Sequence, residues 1–364
     1  MDSLKRHHGA AILLAIACLR AASAGAQLQT RSIEKITDGV YGAIWSEMKK
    51  DPVQANSLII IGETGVAVVD ADYTPSAARG TVAEIRKLTK LPVRYVITTH
   101  WHDDHIFGNQ VYRDAFPGVE FVAQVNVRNS MIAKAKEHQQ ELVTSYGKAL
   151  ETVTTRLAKG INGKGEPMTP ADRNRHLAAQ SLYRQYLVDF KSVQIVLPTI
   201  TFVDEITLHL GNREVEVHSF GKGNTLGDAV IWLPKEKIAA VGDLVVWPVP
   251  YIYGGFPDSW GRVLQAVRAL NPAVVVPGHG PVMREFSYVD QVAALLKAMS
   301  TQATAAVARG LSLEDTRKGF DLTSFHEALV AGKPEREETW AESIVESGIK
   351  AAYDEAKKKP DPGA

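Results

Sequence analysis

The sequence predicts an α/β fold, and three observations carry that prediction. Between residues 58 and 99 a β-branched hairpin, a capped amphipathic helix and a further β-branched run follow one another, which makes a strand–helix–strand unit. Beyond residue 200 short apolar runs return, separated by glycine-containing turns. Between these regions His100, His102, Asp104 and His105 crowd onto the carboxyl end of a predicted strand, the edge at which α/β sheets present their sites.

Composition narrows the class. The 364 residues are 45% hydrophobic and 23% charged, which supplies one large core and argues against disorder. Lys+Arg and Asp+Glu both number 41, so no bulk field draws nucleic acid or an anionic membrane surface, and a nuclease is disfavoured. Lys5 and Arg6 precede the apolar run Ala10 to Leu19, and Ala24-Gly25-Ala26 offers a small-residue cleavage site. Residues 1–26 therefore read as a signal peptide whose apolar run is too short to span a bilayer, and the expected location is periplasmic or secreted. Cys18 is the only cysteine and lies in this segment, so the mature chain is expected to lack disulfides and thiolate ligands. Ala15-Ile16-Ala17-Cys18 is a poor lipoprotein box, which leaves anchoring at Cys18 as the lesser reading.

In chain order, Leu58 to Ile61 and Val66 to Val69 flank Gly62-Glu63-Thr64-Gly65 as a hairpin that delivers Asp70 at a strand end. Thr74-Pro75 opens a helix with Val82, Ile85 and Leu88 at helical spacing. Val93 to Thr99 then leads into His100-Trp101-His102-Asp103-Asp104-His105. Residues two apart on an extended segment point the same way, so His100 and His102 can share one ion. A helical turn immediately afterwards would aim Asp104 and His105 at a second ion nearby. Imidazole and carboxylate donors suit zinc, iron or manganese.

The next stretch is helical. Leu142, Tyr146, Leu150, Val153 and Leu157 form one stripe broken at Gly160, and Thr169-Pro170 restarts a helix carrying Leu182, Tyr186 and Phe190. This insertion, about 125–192, is expected to act as a cover or as a homo-oligomer contact. Strands resume at Ile200 to Phe202, Ile206 to Leu210 and Val215 to Val217, followed by the loop Gly221 to Asp228. A second hairpin, Ala229 to Leu233 and Lys237 to Val241, should end in Gly242-Asp243, a second strand-end carboxylate. Aromatic residues Trp247, Tyr251, Tyr253 and Phe256 follow, then a helix with Trp260 on its apolar stripe, then a short strand into Pro277-Gly278-His279-Gly280. The resulting division is signal peptide 1–26, main fold 30–285 and C-terminal helical extension 286–364.

These pieces resemble the metallo-β-lactamase-fold hydrolases over roughly residues 35 to 285. The resemblance rests on Val68-Val69-Asp70, His100-x-His102-x-Asp104-His105, Val241-Gly242-Asp243 and Pro277-Gly278-His279-Gly280, in that order. It implies an αββα sandwich with its site at one edge. It also implies His100 and His102 on a first metal, Asp104, His105 and His279 on a second, Asp243 bridging them, and Asp70 orienting the metal-bearing loop. The family's loop usually reads Gly-x-x-His-Thr-x-Gly-Asp, whereas this chain has Gly221-Lys222-Gly223-Asn224-Thr225-Leu226-Gly227-Asp228. An amide oxygen is a weaker donor than imidazole, so three alternatives stand. Asn224 ligates through oxygen, or water or another residue such as His218 fills the gap, or the first site is weak.

The expected activity is hydrolysis. Two divalent ions, zinc first and manganese or iron as alternatives, held about 3.5 Å apart acidify a shared water, with Asp104 or Asp243 orienting it. The aromatic residues Trp101, Trp247, Tyr251 and Tyr253 suit a small, partly apolar substrate such as a β-lactam or lactone. A thioesterase or phosphodiesterase of the same fold is the alternative within this class. A degenerate protein that binds metal or ligand without catalysis is the alternative from another class.

Overall fold

The computed structural model describes residues 30–45 and 54–358. The expected signal peptide, Cys18 and Lys359 lie outside these residues. Two sheets stack face to face. The first has seven strands in sequential order: β1 (Arg31–Thr37), β2 (Val40–Trp45), β3 (Ser57–Ile61), β4 (Val66–Val69), β5 (Val93–Thr98), β6 (Glu120–Gln124) and β7 (Ile200–Phe202). The second has five, in the order β12-β11-β10-β9-β8. They span Glu205–His209 (β8), Glu214–His218 (β9), Val230–Leu233 (β10), Ile238–Val246 (β11) and Val274–His279 (β12).

The period-two alternation of each strand explains the layering. Leu58 and Ile60 of β3 and Ala67 and Val69 of β4 face the second sheet, where they meet Ile231 and Leu233 of β10 and Val274 and Val276 of β12. Their neighbours Ile59, Val66 and Val68 face outwards and pack on the helices Pro75–Leu88 and Asn109–Ala115. On the opposite side Val230, Trp232, Ala239, Val241 and Val275 pack on the helices Pro257–Ala269 and Ser287–Ala308 and on the C-terminal extension. The central strands β3, β4, β10, β11 and β12 are buried on both faces, which is why they read as nearly continuous apolar runs, whereas β1, β8 and β9 include exposed residues. The architecture is the expected αββα sandwich. Trp260 is fully buried, as its place on an apolar stripe suggested, and its indole N–H donates to Leu244 O at 3.1 Å.

One expectation is corrected here. The strand carrying Asp243 does not stop at that residue, because β11 continues to Val246 with register shifts on both sides of Gly242. Gly242 has φ +51, and a Cβ at that position would collide with Thr99 Oγ1. The bulge swings the Asp243 carboxylate out of the ladder towards the end of β5. Gly278 completes the cradle on the β12 side, since a Cβ there would run into Asp243 Oδ1.

The helical segment after β6 comprises Val125–Ser130, a π-helical turn Met131–Ala135, Lys136–Lys159 and Pro170–Ser192. Gly160 ends the long helix in the left-handed conformation, and Thr169 and Asp172 form a reciprocal capping box at the start of the next. Leu142, Tyr146 and Phe190 pack against Tyr73, Trp101, Ile106 and Phe107. The insertion is therefore a buttress behind the histidine loop of its own chain. Among the described residues no helix is long and apolar enough to cross a membrane.

Candidate metal centre

The histidine loop begins where β5 ends. His102 is the extended residue at the N-terminus of a single helical turn, Asp103–Ile106, so the chain passes from strand to turn between the two pairs of donors. Asp70 holds this corner. Its carboxylate accepts from Thr99 N at 2.8 Å, from Thr99 Oγ1 at 2.8 Å and from His105 Nδ1 at 2.7 Å. The bond to His105 keeps the proton on Nδ1 and leaves Nε2 as the free lone pair. Thr99 spends its hydroxyl proton on Asp70, so its oxygen accepts from His100 Nδ1 at 3.0 Å, which frees His100 Nε2 in the same way. One buried carboxylate thus sets the tautomers of two imidazoles. Asp70 itself sits at φ +58, on a loop that docks back on the corner through Ala71 N to His105 O at 2.9 Å.

His279 arrives from the end of β12 and is oriented by Gln54 O, which accepts from Nδ1 at 3.1 Å. Asn56 fixes its turn, donating from Nδ2 to Pro277 O at 3.0 Å and to Gly280 O at 2.8 Å. The free Nε2 of His279 lies 3.0 Å from Asp104 Oδ2 and 3.3 Å from Asp243 Oδ1. His105 Nε2 lies 3.3 Å from Asp243 Oδ1 and 3.5 Å from Asp104 Oδ2. His100 Nε2 is 3.7 Å from Asp243 Oδ2 and 3.0 Å from His102 Nδ1. Two overlapping donor groups result, His100 with His105 and Asp243, and Asp104 with His105 and His279.

His105 Nε2, His279 Nε2 and Asp243 Oδ1 are buried and make no hydrogen bond of acceptable geometry. Buried polar atoms are rarely left so, and three of them converging with a further carboxylate fit a cation better than one another. The electrostatics agree. Burial opposes charge on every member, yet Asp243, Asp104 and Asp70 hold His105 well above the ordinary histidine range, and Asp243 and Asp104 hold His279 at about 9. Burial works against Asp243 too, but His279, His105 and His100 keep its carboxyl well below the usual range. Burial dominates at the other pair, pushing His100 well down and His102 to about 4. The carboxylates thus compete for positive charge that protons supply when no metal does.

The remaining predicted residues are distributed differently. Asn224 is buried, on a loop tied to the corner through Ala229 N to Thr99 O at 2.8 Å, and its Nδ2 has no partner among the described residues. His218 does not replace it: its two nitrogens face Glu216 at 2.9 Å and Glu205 at 3.4 Å, and its ring stacks on Phe220. Trp101, expected as a substrate contact, is only 8% exposed and packs between His102, His138 and Lys134. That position is behind the histidines, within the insertion's apolar cluster. Trp247 is half-buried under Arg336, whereas the Tyr251 ring lies 5.6 Å from that of His279 and Tyr253, next to it, is exposed. Sequence reasoning assigned no role to Thr99, Gln54 or Asn56. A hydroxyl directly before the first histidine was the one visible hint; nothing marked the other two.

The sequence matches the family model of the metallo-beta-lactamase superfamily over residues 51–279. A metallo-beta-lactamase type 2 from Bacillus cereus is 24% identical over 238 residues, covering 64% of this chain and 69% of that protein. A linear primary-alkylsulfatase from Pseudomonas sp. (strain ATCC 19151) is 22% identical over 237 residues, 63% of this chain and 42% of that protein. Among solved structures, a metallo-beta-lactamase from Pontibacter korlensis superposes with a TM-score of 0.51 at 20% identity, covering 74% of this chain and 99% of its own. The stereoselective inverting sec-alkylsulfatase Pisa1 from Pseudomonas sp. superposes with a TM-score of 0.61 at 15% identity, covering 95% of this chain and 53% of its own. The second similarity extends well beyond the sandwich.

Proposed function

This chain belongs to the metallo-β-lactamase superfamily, and on that premise we propose that it hydrolyses a small, partly apolar cyclic amide or ester, such as a β-lactam or lactone, with two metal ions. The observation that carries the reading is the set of three unpartnered buried donor atoms, converging from the turn after β5, the bulge of β11 and the end of β12. Asp104, His105, His279 and Asp243 would hold one ion; His100 and His102, with Asp243, would hold the other. Zinc fits this donor set first, and manganese or iron are acceptable to it. Bound there, the ions supply Lewis acidity and acidify a water.

The chain's own residues do the rest. Asp70 keeps His100 and His105 in the tautomer that presents Nε2. Asp104 is the one carboxylate of the centre with appreciable exposure, 18% of its side chain, so it is placed to orient the attacking water and take its proton. Asp243, nearly buried and cradled by Gly278, keeps its geometry fixed. Tyr251 and Tyr253 form the apolar wall at His279. Export is proposed from residues 1–26, and self-association through the insertion from its exposed Leu177 and Val188.

Sulfate-ester hydrolysis is the second reading. What favours it is the likeness to a sec-alkylsulfatase that covers 95% of this chain, helical additions included. A screen of the purified protein against β-lactams, lactones, alkyl sulfates, thioesters and phosphodiesters, with zinc, manganese or iron added, separates the readings. Metal analysis alongside is expected to give about two ions per chain. Less than about one ion with no hydrolysis after zinc addition would leave a degenerate binding protein in its place.

A further inference from the structure

The C-terminal extension grips the aromatic loop between β11 and the helix Pro257–Ala269 at its start, middle and end. At the start, Tyr288 donates its hydroxyl to Val246 O at 2.5 Å, and the Arg336 guanidinium lies 5.2 Å from the Trp247 ring centroid. In the middle, Ser343 Oγ accepts from Ile252 N at 2.7 Å and donates to Pro250 O. At the end, the Glu355 carboxylate accepts from Asp258 N at 2.8 Å, Ser259 N at 3.2 Å and Ser259 Oγ at 2.7 Å, where it also complements the first turn of a helix.

The middle contact has the most direct consequence. Ser343 is fully buried and satisfies the backbone groups of Pro250 and Ile252, which flank Tyr251 on either side. The Tyr251 ring is the one packed 5.6 Å from His279. Ser343 itself lies in a π-helical segment, Trp340–Gly348, a wide turn of the kind that re-aims a side chain at a defined point. Gly348 lets this segment come close, since a Cβ there would be 2.8 Å from Met299 Cε and 3.4 Å from Ile252 Cβ. Both partners are backbone groups that would otherwise be buried without a bond, so the hydroxyl fixes the loop rather than merely touching it.

We propose that Ser343 is a positioning residue: through the Pro250–Ile252 backbone it sets the place of Tyr251 at the metal centre, so that the C-terminal extension governs substrate affinity while leaving the metal ligands alone. This rests on the reading of Tyr251 as a wall of the substrate site. Ser343→Ala is the test, made in the full-length protein with whichever of a chromogenic β-lactam, a lactone or p-nitrophenyl sulfate the wild type turns over. The expected result is a rise in KM of about tenfold, the scale of losing one buried anchor, with kcat changed less than about twofold and metal content unchanged. Hydrogen exchange at the Ile252 amide should accelerate.

Tyr251→Ala should raise KM by a similar factor, and adding Ser343→Ala to it should raise KM no further, because the serine acts through the tyrosine. Should Ser343→Ala fail to fold, Ser343→Cys, which keeps the volume and only a weak donor, is expected to show the same KM-against-kcat split. An unchanged KM in the serine variants, or multiplicative effects in the double variant, overturns the proposal. Absence of turnover in the wild type with all three probes refutes the functional reading instead, and the inference falls with it.

Discussion

The two sides of the candidate metal centre differ in make-up and in charge. Asp104, His105 and His279 form one donor group, with Asp243 Oδ1 3.3 Å from both imidazoles, and three of these atoms are buried without a hydrogen bond. On the side formed by His100 and His102, the two imidazoles are hydrogen-bonded to each other, Nε2 to Nδ1 at 3.0 Å, and the neighbouring loop brings up the buried amide of Asn224. Charge decides the contrast: on the first side carboxylates raise His105 and His279 above the ordinary histidine range, and on the second burial lowers His100 and His102. The first half is thus a preformed cation site, while the second depends on what completes it.

The sharpest way to break this contrast is to remove one donor from each half. Asp104→Ala and His102→Ala are both expected to abolish hydrolysis, but metal analysis should separate them: His102→Ala keeps about one ion, whereas Asp104→Ala loses the tighter one. Equal metal loss in the two would mean that the halves are equivalent.

The pH dependence comes next in size. With His279 held at about 9, its proton stabilises the metal-free protein fully below about pH 6.5, and that contribution is lost as pH rises through about 9. Metal must displace this proton, so affinity should rise across the same window by up to about tenfold per pH unit. Isothermal titration with zinc in buffers of different ionisation enthalpy should register proton release at pH 7. No release would show that the carboxylates do not hold the site protonated.

Asp70→Asn should weaken metal binding by roughly 10–100-fold, the usual effect of removing a partner that orients a ligand, because it disturbs the tautomers of His105 and His100 together. Asn224→His should have the smallest effect, tightening the weaker ion by roughly tenfold if imidazole completes the second half. A competition assay with a chelator reads both variants. An unchanged zinc affinity in Asn224→His would place the asparagine away from the ions.

Legibility follows the same divide between local and distant causes. The donors of the histidine loop were readable because a strand of period two running into a helical turn projects His100, His102, Asp104 and His105 at known angles. The insertion's helices were readable from their stripe and from the Thr169 cap. The bulge at Gly242 was not, since a glycine followed by aspartate reads as a strand end until β12 is seen packing alongside. Trp101 looked like a substrate contact because it lies between ligands in sequence. In space Trp101 turns away from His100 and His105, into the insertion's apolar cluster.

By itself the sequence determined the α/β order of strands and helices and the identity of the donors, while the layered sandwich came from the resemblance its motifs carry. Only the tertiary structure decided how they work together. Asp70 and Thr99 set two tautomers, Asn56 and Gln54 hold His279 from the start of β3 in the first sheet, and Ser343 bonds the backbone on either side of Tyr251 from a helix 91 residues beyond Ile252. Such contacts depend on where backbone groups are left unsatisfied after the sheets have packed, and no local pattern of residues encodes that.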